Sequence, residues 1–165
     1  MVGEAAPWEG FFASRGLRCT LPPRDTARAM LEENVELLRE VTAAANRRDF
    51  DAFVALVSPD VVWESRSSSS FPGFRDVYRG RAEVREWVAQ ALEVIEDAQT
   101  EVEEIEDLGD DRLLVEIVRT GRGKGSGVPA ELRDWWVVWF AEGLITRRQA
   151  FWTRDEALEA AGLSE

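Results

Sequence analysis

The sequence predicts an α+β domain with its helices first and a long antiparallel meander after them. Two observations carry this. Apolar residues recur at helical spacing as far as Asp97, and beyond Gln99 four runs rich in strand formers are separated by short turns bearing Gly and Asp. A chain of 165 residues with 45% hydrophobic side chains suits one domain with one core.

Residues 1–25 hold Pro7, Pro22 and Pro23 without a sustained period, so a loose N-terminal extension is expected there and the folded domain over 26–165. From Thr26 to Asn46 the apolar residues Leu31, Val35, Leu38, Val41 and Ala45 repeat at 3.6-residue spacing and predict a long amphipathic helix. Asp49 is placed to cap a short second helix carrying Phe50, Phe53, Val54 and Val57, which Ser58 and Pro59 should stop. Val61 to Ser65 reads as a strand, Arg66 to Ser70 as a polar loop, and Ala82 to Asp97 as a third helix whose apolar face holds Val84, Trp87, Val88, Ala91 and Ile95. The meander is expected over Gln99–Leu108, Arg112–Gly121, Glu131–Ala141 and Leu144–Thr153, with a short closing helix over Arg154–Leu163. The glycines between Gly121 and Gly127 lack the Gly-Lys-Ser/Thr ending and the following helix of a phosphate loop, so they read as a plain connection.

Charge and rare residues narrow the chemistry. A formal net charge of −12 opposes nucleic acid, because phosphate-tracking surfaces need a positive stripe. No run approaches the ~18 apolar residues of a membrane span, and no basic, apolar and cleavable leader opens the chain, so the expected location is cytoplasmic, with no membrane partner. Cys19 is the only cysteine and there is no histidine. Ser/His and Cys/His nucleophiles and the usual zinc ligand sets are therefore unavailable, and no metal or cofactor is expected. Any reaction has to draw on carboxylates, Tyr78, hydroxyls, arginine or water.

Several short stretches carry a resemblance. Glu33-Asn34-Val35-Glu36-Leu37, Asn46-Arg47-Arg48-Asp49-Phe50, Pro59-Asp60-Val61-Val62-Trp63, Tyr78-Arg79-Gly80 and Glu142-Gly143-Leu144-Ile145 look like SnoaL-like sequences, as does the segment from Glu156 to Leu163. Over residues 30 to 163 the chain thus resembles the nuclear-transport-factor-two-like superfamily, closest to its SnoaL-like branch. The resemblance implies a cone-shaped fold, a curved and mostly antiparallel sheet wrapped around N-terminal helices with a central pocket. Members include steroid isomerases, polyketide cyclases, epoxide hydrolases, dehydratases and modules without catalysis, so the fold by itself selects no reaction.

Strand parity lists the candidate pocket wall. Taking Ala141-Glu142-Gly143 as a three-residue hairpin loop sets Phe140 against Leu144 and Trp136 opposite Arg148. One face then carries Leu132, Asp134, Trp136, Val138, Arg148, Ala150 and Trp152. The other carries Arg133, Trp135, Val137, Trp139, Ile145, Arg147, Gln149 and Phe151. The resemblance points the first set inward, and it implies a homodimer through the second, anchored by Trp135, Val137, Trp139 and Phe151. It also argues against isomerase chemistry: the isomerase's tyrosine, aspartate base and protonated aspartic acid fall at Val41, Ser65 and Trp136, and the cyclase aspartate falls near Ala150.

The expected ligand-binding wall is therefore Trp63, Ser65, Trp87, Trp136, Arg148 and Trp152. A guanidinium against an indole is worth about 0.5–2 kcal/mol as a cation–π pair. Arg148 either holds a ligand carboxylate or enolate, or is neutralised by Asp134 as a structural ion pair. In a catalytic reading, Asp134 takes a proton from a carbon acid or from water and Arg148 stabilises the resulting oxyanion. The leading expectation is a domain binding a small apolar or aromatic molecule. The alternatives are a cofactor-independent cyclase, isomerase or hydratase on a polyketide-like or terpenoid compound, and a dimerisation module whose pocket is filled.

Overall fold

The computed structural model describes residues 24–66 and 71–163. Helix α1 spans Arg24–Asn46, two residues longer at its start than the periodicity predicts, and buries Leu37, Leu38, Val41, Ala44 and Ala45. Its end is tied to the sheet: the Asn46 side-chain amide donates to the Thr100 carbonyl at 2.9 Å and its carbonyl accepts from the Thr100 N–H at 2.8 Å. Arg48, at φ 60°, turns the chain and donates to the Ala98 carbonyl. Asp49 then caps α2 (Phe50–Ala55) by accepting from the Ala52 N–H at 3.0 Å. The rest of the extension expected over 1–25, and the serines after Arg66, lie outside the described residues.

Strand β1 runs Val57–Ser65 and starts four residues before its predicted beginning. Val57, expected in the second helix, opens this strand instead, since α2 ends at Ala55, and the strand runs through Pro59. The ladder between β1 and the later strand is interrupted between Val57 and Val62, and Pro59 sits inside that irregularity, where no N–H is required. Strand β2 (Val77–Arg79) pairs antiparallel with β1, and α3 (Gly80–Glu93) follows at once. The predicted third helix overran by four residues, because Ile95 already belongs to β3 (Ile95–Gly109), paired with Gly123.

Strands β3, β4 (Arg112–Gly123), β5 (Pro129–Ala141) and β6 (Leu144–Phe151) form the meander, and β6 closes the sheet by pairing parallel with β1 in the order β2-β1-β6-β5-β4-β3. Gly121 is required where β4 passes β3, since a Cβ there would lie 2.5 Å from the Glu96 carbonyl oxygen. The main core fills the concave side, where Val41, Phe53, Trp63, Val84, Trp87, Val115, Ile117, Trp136 and Val138 are all buried.

The β5–β6 hairpin corrects the predicted register. Its loop has two residues, Glu142 and Gly143, both at positive φ (52° and 72°), as a type I′ turn demands. Ala141 therefore faces Leu144 and Phe140 faces Ile145, after which a one-residue shift leaves Thr146 as a bulge whose hydroxyl donates to the Trp139 carbonyl. Ile145 joins the inner core rather than the outer face. Arg148 still points inward, because the bulge restores parity, but it lies opposite Val138, and Trp136 lies opposite Ala150.

Part of the outer face is covered by the chain itself. Helix α4 (Arg154–Ala160) starts with a capping box between Thr153 and Glu156 and packs Ala157 onto Leu114, Val137 and Phe151. Val137 and Phe151 are buried by α4 and cannot serve as exposed dimer anchors; Trp135 and Trp139 remain half-buried at its margins.

Candidate functional site

The pleat of β1, β5 and β6 gathers four of the predicted wall residues around a fifth. Trp63 and Arg148 are direct partners across the parallel ladder, and Trp136 arrives from β5 and Trp87 from α3. The Arg148 guanidinium carbon lies 4.6 Å from the Trp63 ring centroid, 4.5 Å from that of Trp87 and 4.3 Å from that of Trp136. The indoles also touch one another, at 5.2 Å between Trp63 and Trp87 and 5.8 Å between Trp63 and Trp136. One guanidinium nitrogen, Nη1, donates to the Glu64 carbonyl and to Ser65 Oγ, each at 2.7 Å. Nε and Nη2 find no acceptor among the described residues, and neither do the indole N–H groups of Trp63, Trp87 and Trp136.

Arg148 is fully buried, and that burial, the main influence, pushes its guanidinium well below the usual arginine range. The Asp134 charge opposes this and the Arg119 charge adds to it. Asp134, however, is not its ion-pair partner. The carboxylate accepts from Arg119 Nη2 at 2.9 Å, with both side chains nearly buried, so the expected Asp134–Arg148 pair is replaced by Asp134–Arg119. The two-residue hairpin loop and the Thr146 bulge set Arg148 opposite Val138, two residues further along β5 than Trp136.

Trp152 is displaced from its predicted place in the wall. It follows the last residue of β6, is 43% exposed, and lies 6.3 Å from the ring of Phe71. There it lines an outer cavity of about 20 Å³ with Phe71, Phe74, Ala91, Val94, Arg119, Leu132 and Asp134. A second cavity of about 20 Å³ lies deeper, against Val41, Phe53, Ala91, Trp87, Trp136 and Arg119. Ala91 and Arg119 line both.

Arg119 is the residue of this candidate site that sequence reasoning missed. Its signal was available: on β4 it shares parity with Val115 and Ile117, which pair with Trp136 and Asp134, so it belongs to the concave face. Among the described residues no group of acidic residues and cysteines is arranged to hold a metal ion, and no helix is long and apolar enough to cross a membrane.

Comparison with known proteins follows the same lines. The model of the SnoaL-like domain matches residues 38–148. No curated protein matches the chain in sequence. Among solved structures, TerC co-crystallised with polyporic acid superposes with a TM-score of 0.64 at 22% identity, covering 77% of this chain and 98% of its own. Rv0760c from Mycobacterium tuberculosis, in complex with estradiol-17beta-hemisuccinate, gives a TM-score of 0.62 at 19% identity, covering 74% and 95%. SalBIII, an epoxide hydrolase/cyclase-like enzyme of pyran ring formation in the polyether salinomycin, gives 0.61 at 20% identity, covering 74% and 92%.

Proposed function

Because the chain belongs to the SnoaL-like domain family, we propose that its cone receives one small, flat, largely apolar molecule between α3, β4 and β5. The observation that carries this reading is the pair of apolar cavities meeting at Arg119. Each has room for a single water, so neither is a finished ligand site. Ala91 and the Arg119 side chain, held by its pairing with Asp134, form the wall common to both, and a guest that moves the arginine joins the cavities into one aromatic slot. Phe71, Phe74 and Trp152 form the outer wall of this slot and Trp87 and Trp136 its inner wall. The small molecules named for TerC and Rv0760c support the reading by analogy of fold.

The test is titration of the neutral fluorophore N-phenyl-1-naphthylamine against the wild type and Ala91→Phe, a substitution that fills the shared wall. Saturable binding by the wild type, weakened at least about tenfold in a folded Ala91→Phe, is the expected result. Absence of binding, or binding indifferent to residue 91, contradicts the slot. Native mass spectrometry of protein purified gently from its own host identifies any resident molecule directly.

A second reading follows from the Asp134 carboxylate in the wall of the outer cavity. In it the domain is a cofactor-independent cyclase, isomerase or hydratase. Asp134 receives the proton of a carbon acid or water, and Arg148 stabilises the oxyanion that forms. Turnover of a discovered substrate undiminished in Asp134→Asn contradicts that mechanism.

A further inference from the structure

We propose, resting on the binding reading above, that the guest carries a monoanionic acceptor group, such as a carboxylate, phenolate or enolate, and that Arg148 with its three indoles is the receptor for it. The chemistry of the box is one-sided. Trp63 Nε1, Trp87 Nε1, Trp136 Nε1 and Arg148 Nε and Nη2 are buried without an acceptor from the described residues, and every one of them is a donor. A ligand that satisfies several of them together has to be an acceptor several times over, and a carboxylate, acceptor-only and charged, does this best, whereas an ammonium accepts nothing and an alcohol accepts without charge and brings a donor of its own.

Charge points the same way. The buried charged residues among those described are Arg119, Asp134 and Arg148, two positive groups and one negative. Asp134 pairs directly with Arg119 at 2.9 Å, so Arg148 feels that carboxylate only at a distance, and its own hydrogen-bond partners among the described residues are two neutral oxygens, the Glu64 carbonyl and Ser65 Oγ. A buried cation calls for a counter-anion, and the three π faces around it are only a partial substitute. Trp87 and Trp136 belong both to the box and to the wall of the deeper cavity, whereas Trp63 and Arg148 line neither cavity, so a guest entering past Arg119 reaches these two indoles first and has to part them to approach Arg148. The apolar body of the molecule then occupies the slot while its anionic head faces Arg148. A free inorganic anion of the same charge satisfies the same chemistry.

The experiment compares 1-naphthoate with its neutral isostere 1-naphthamide, and both with sodium chloride and sodium nitrate, at ionic strength held constant with sodium gluconate. Tryptophan emission and thermal midpoint are read for the wild type, Arg148→Met and Trp87→Phe. The expected result is naphthoate binding at least tenfold tighter than naphthamide, a preference abolished in Arg148→Met and reduced in Trp87→Phe, which keeps an aromatic ring and removes one N–H. A saturable, Arg148-dependent response to chloride or nitrate alone also supports the receptor and identifies its anion as a free ion. Equal affinities for naphthoate and naphthamide overturn the anionic head while leaving the binding slot intact. No response to either naphthyl compound or to the salts overturns both. Should Arg148→Met fail to fold, the Trp87→Phe comparison alone decides, since an undiminished preference there contradicts a donor role for the indole.

Discussion

Arg147 and Arg148 are adjacent on β6 and chemically identical, and the pleat of the strand sends them to opposite faces of one sheet. Arg147 lies outside, 44% exposed, donating through Nε and Nη2 to the Glu64 carboxylate and lying 4.9 Å from the Trp139 ring centroid. Arg148 lies inside, wholly buried among three indoles and without a carboxylate of its own. The outer arginine is an ordinary solvated ion pair that tolerates loss. The inner one is held in place against the solvation preference of its charge, and in the proposed reading that burial serves binding rather than stability.

The sharpest way to break the comparison is to remove the carboxylate nearest the interior. Asp134→Ala leaves Arg119 and Arg148 as two buried cations and is expected to cost about 3–5 kcal/mol of unfolding free energy. Urea denaturation measures it; a loss below about 1 kcal/mol would mean that the Arg119 pair is effectively solvated and that the interior carries no charge stress. The second substitution has the opposite sign. Arg148→Met replaces a desolvated cation with a flexible apolar chain and is expected to raise stability by about 1–3 kcal/mol while removing anion selectivity. If Arg148→Met instead proved markedly less stable than the wild type in the same denaturation, the guanidinium would be a net support of the core, and the anion preference would be decided by Trp87→Phe.

Where the residues themselves set local geometry, the sequence was legible. Asp49 caps because a carboxylate before a helix accepts the first free N–H groups, and the strands of the meander follow from their β-formers and turns. Strand parity then put Trp136 and Arg148 on one face and Trp135 and Trp139 on the other, and the resemblance turned the first face inward. What escaped depended on pairing. The Thr146 bulge comes from a two-residue positive-φ turn that Glu142-Gly143 permits but does not announce, and it moved Ile145 to the core and made Val138 rather than Trp136 the cross-strand partner of Arg148. The second helix ends before Pro59, as expected, but Val57 to Asp60 went unread as strand because the place of Pro59 in a ladder irregularity is visible only once β6 lies beside β1. Arg119 went unnoticed because one arginine in a buried strand reads as an interruption until its partner, fifteen residues away, is seen across the hairpin.

The smallest effect completes the comparison. Arg147→Met removes the ion pair to Glu64 and the guanidinium from the face of Trp139, but both charges reach water. An exposed pair of this kind contributes about 0.2–1 kcal/mol, and screening by salt takes most of that away. The expected outcome is a loss below about 1 kcal/mol in low salt that shrinks in high salt, with naphthoate affinity unchanged. Chemical denaturation at the two salt concentrations, with the same fluorescence titration, checks both parts. A large, salt-independent loss would mean that Arg147 is desolvated like its neighbour. A loss of naphthoate affinity would mean that the sheet does not separate the two arginines, and the reading of an anion could no longer be assigned to the box around Arg148 alone.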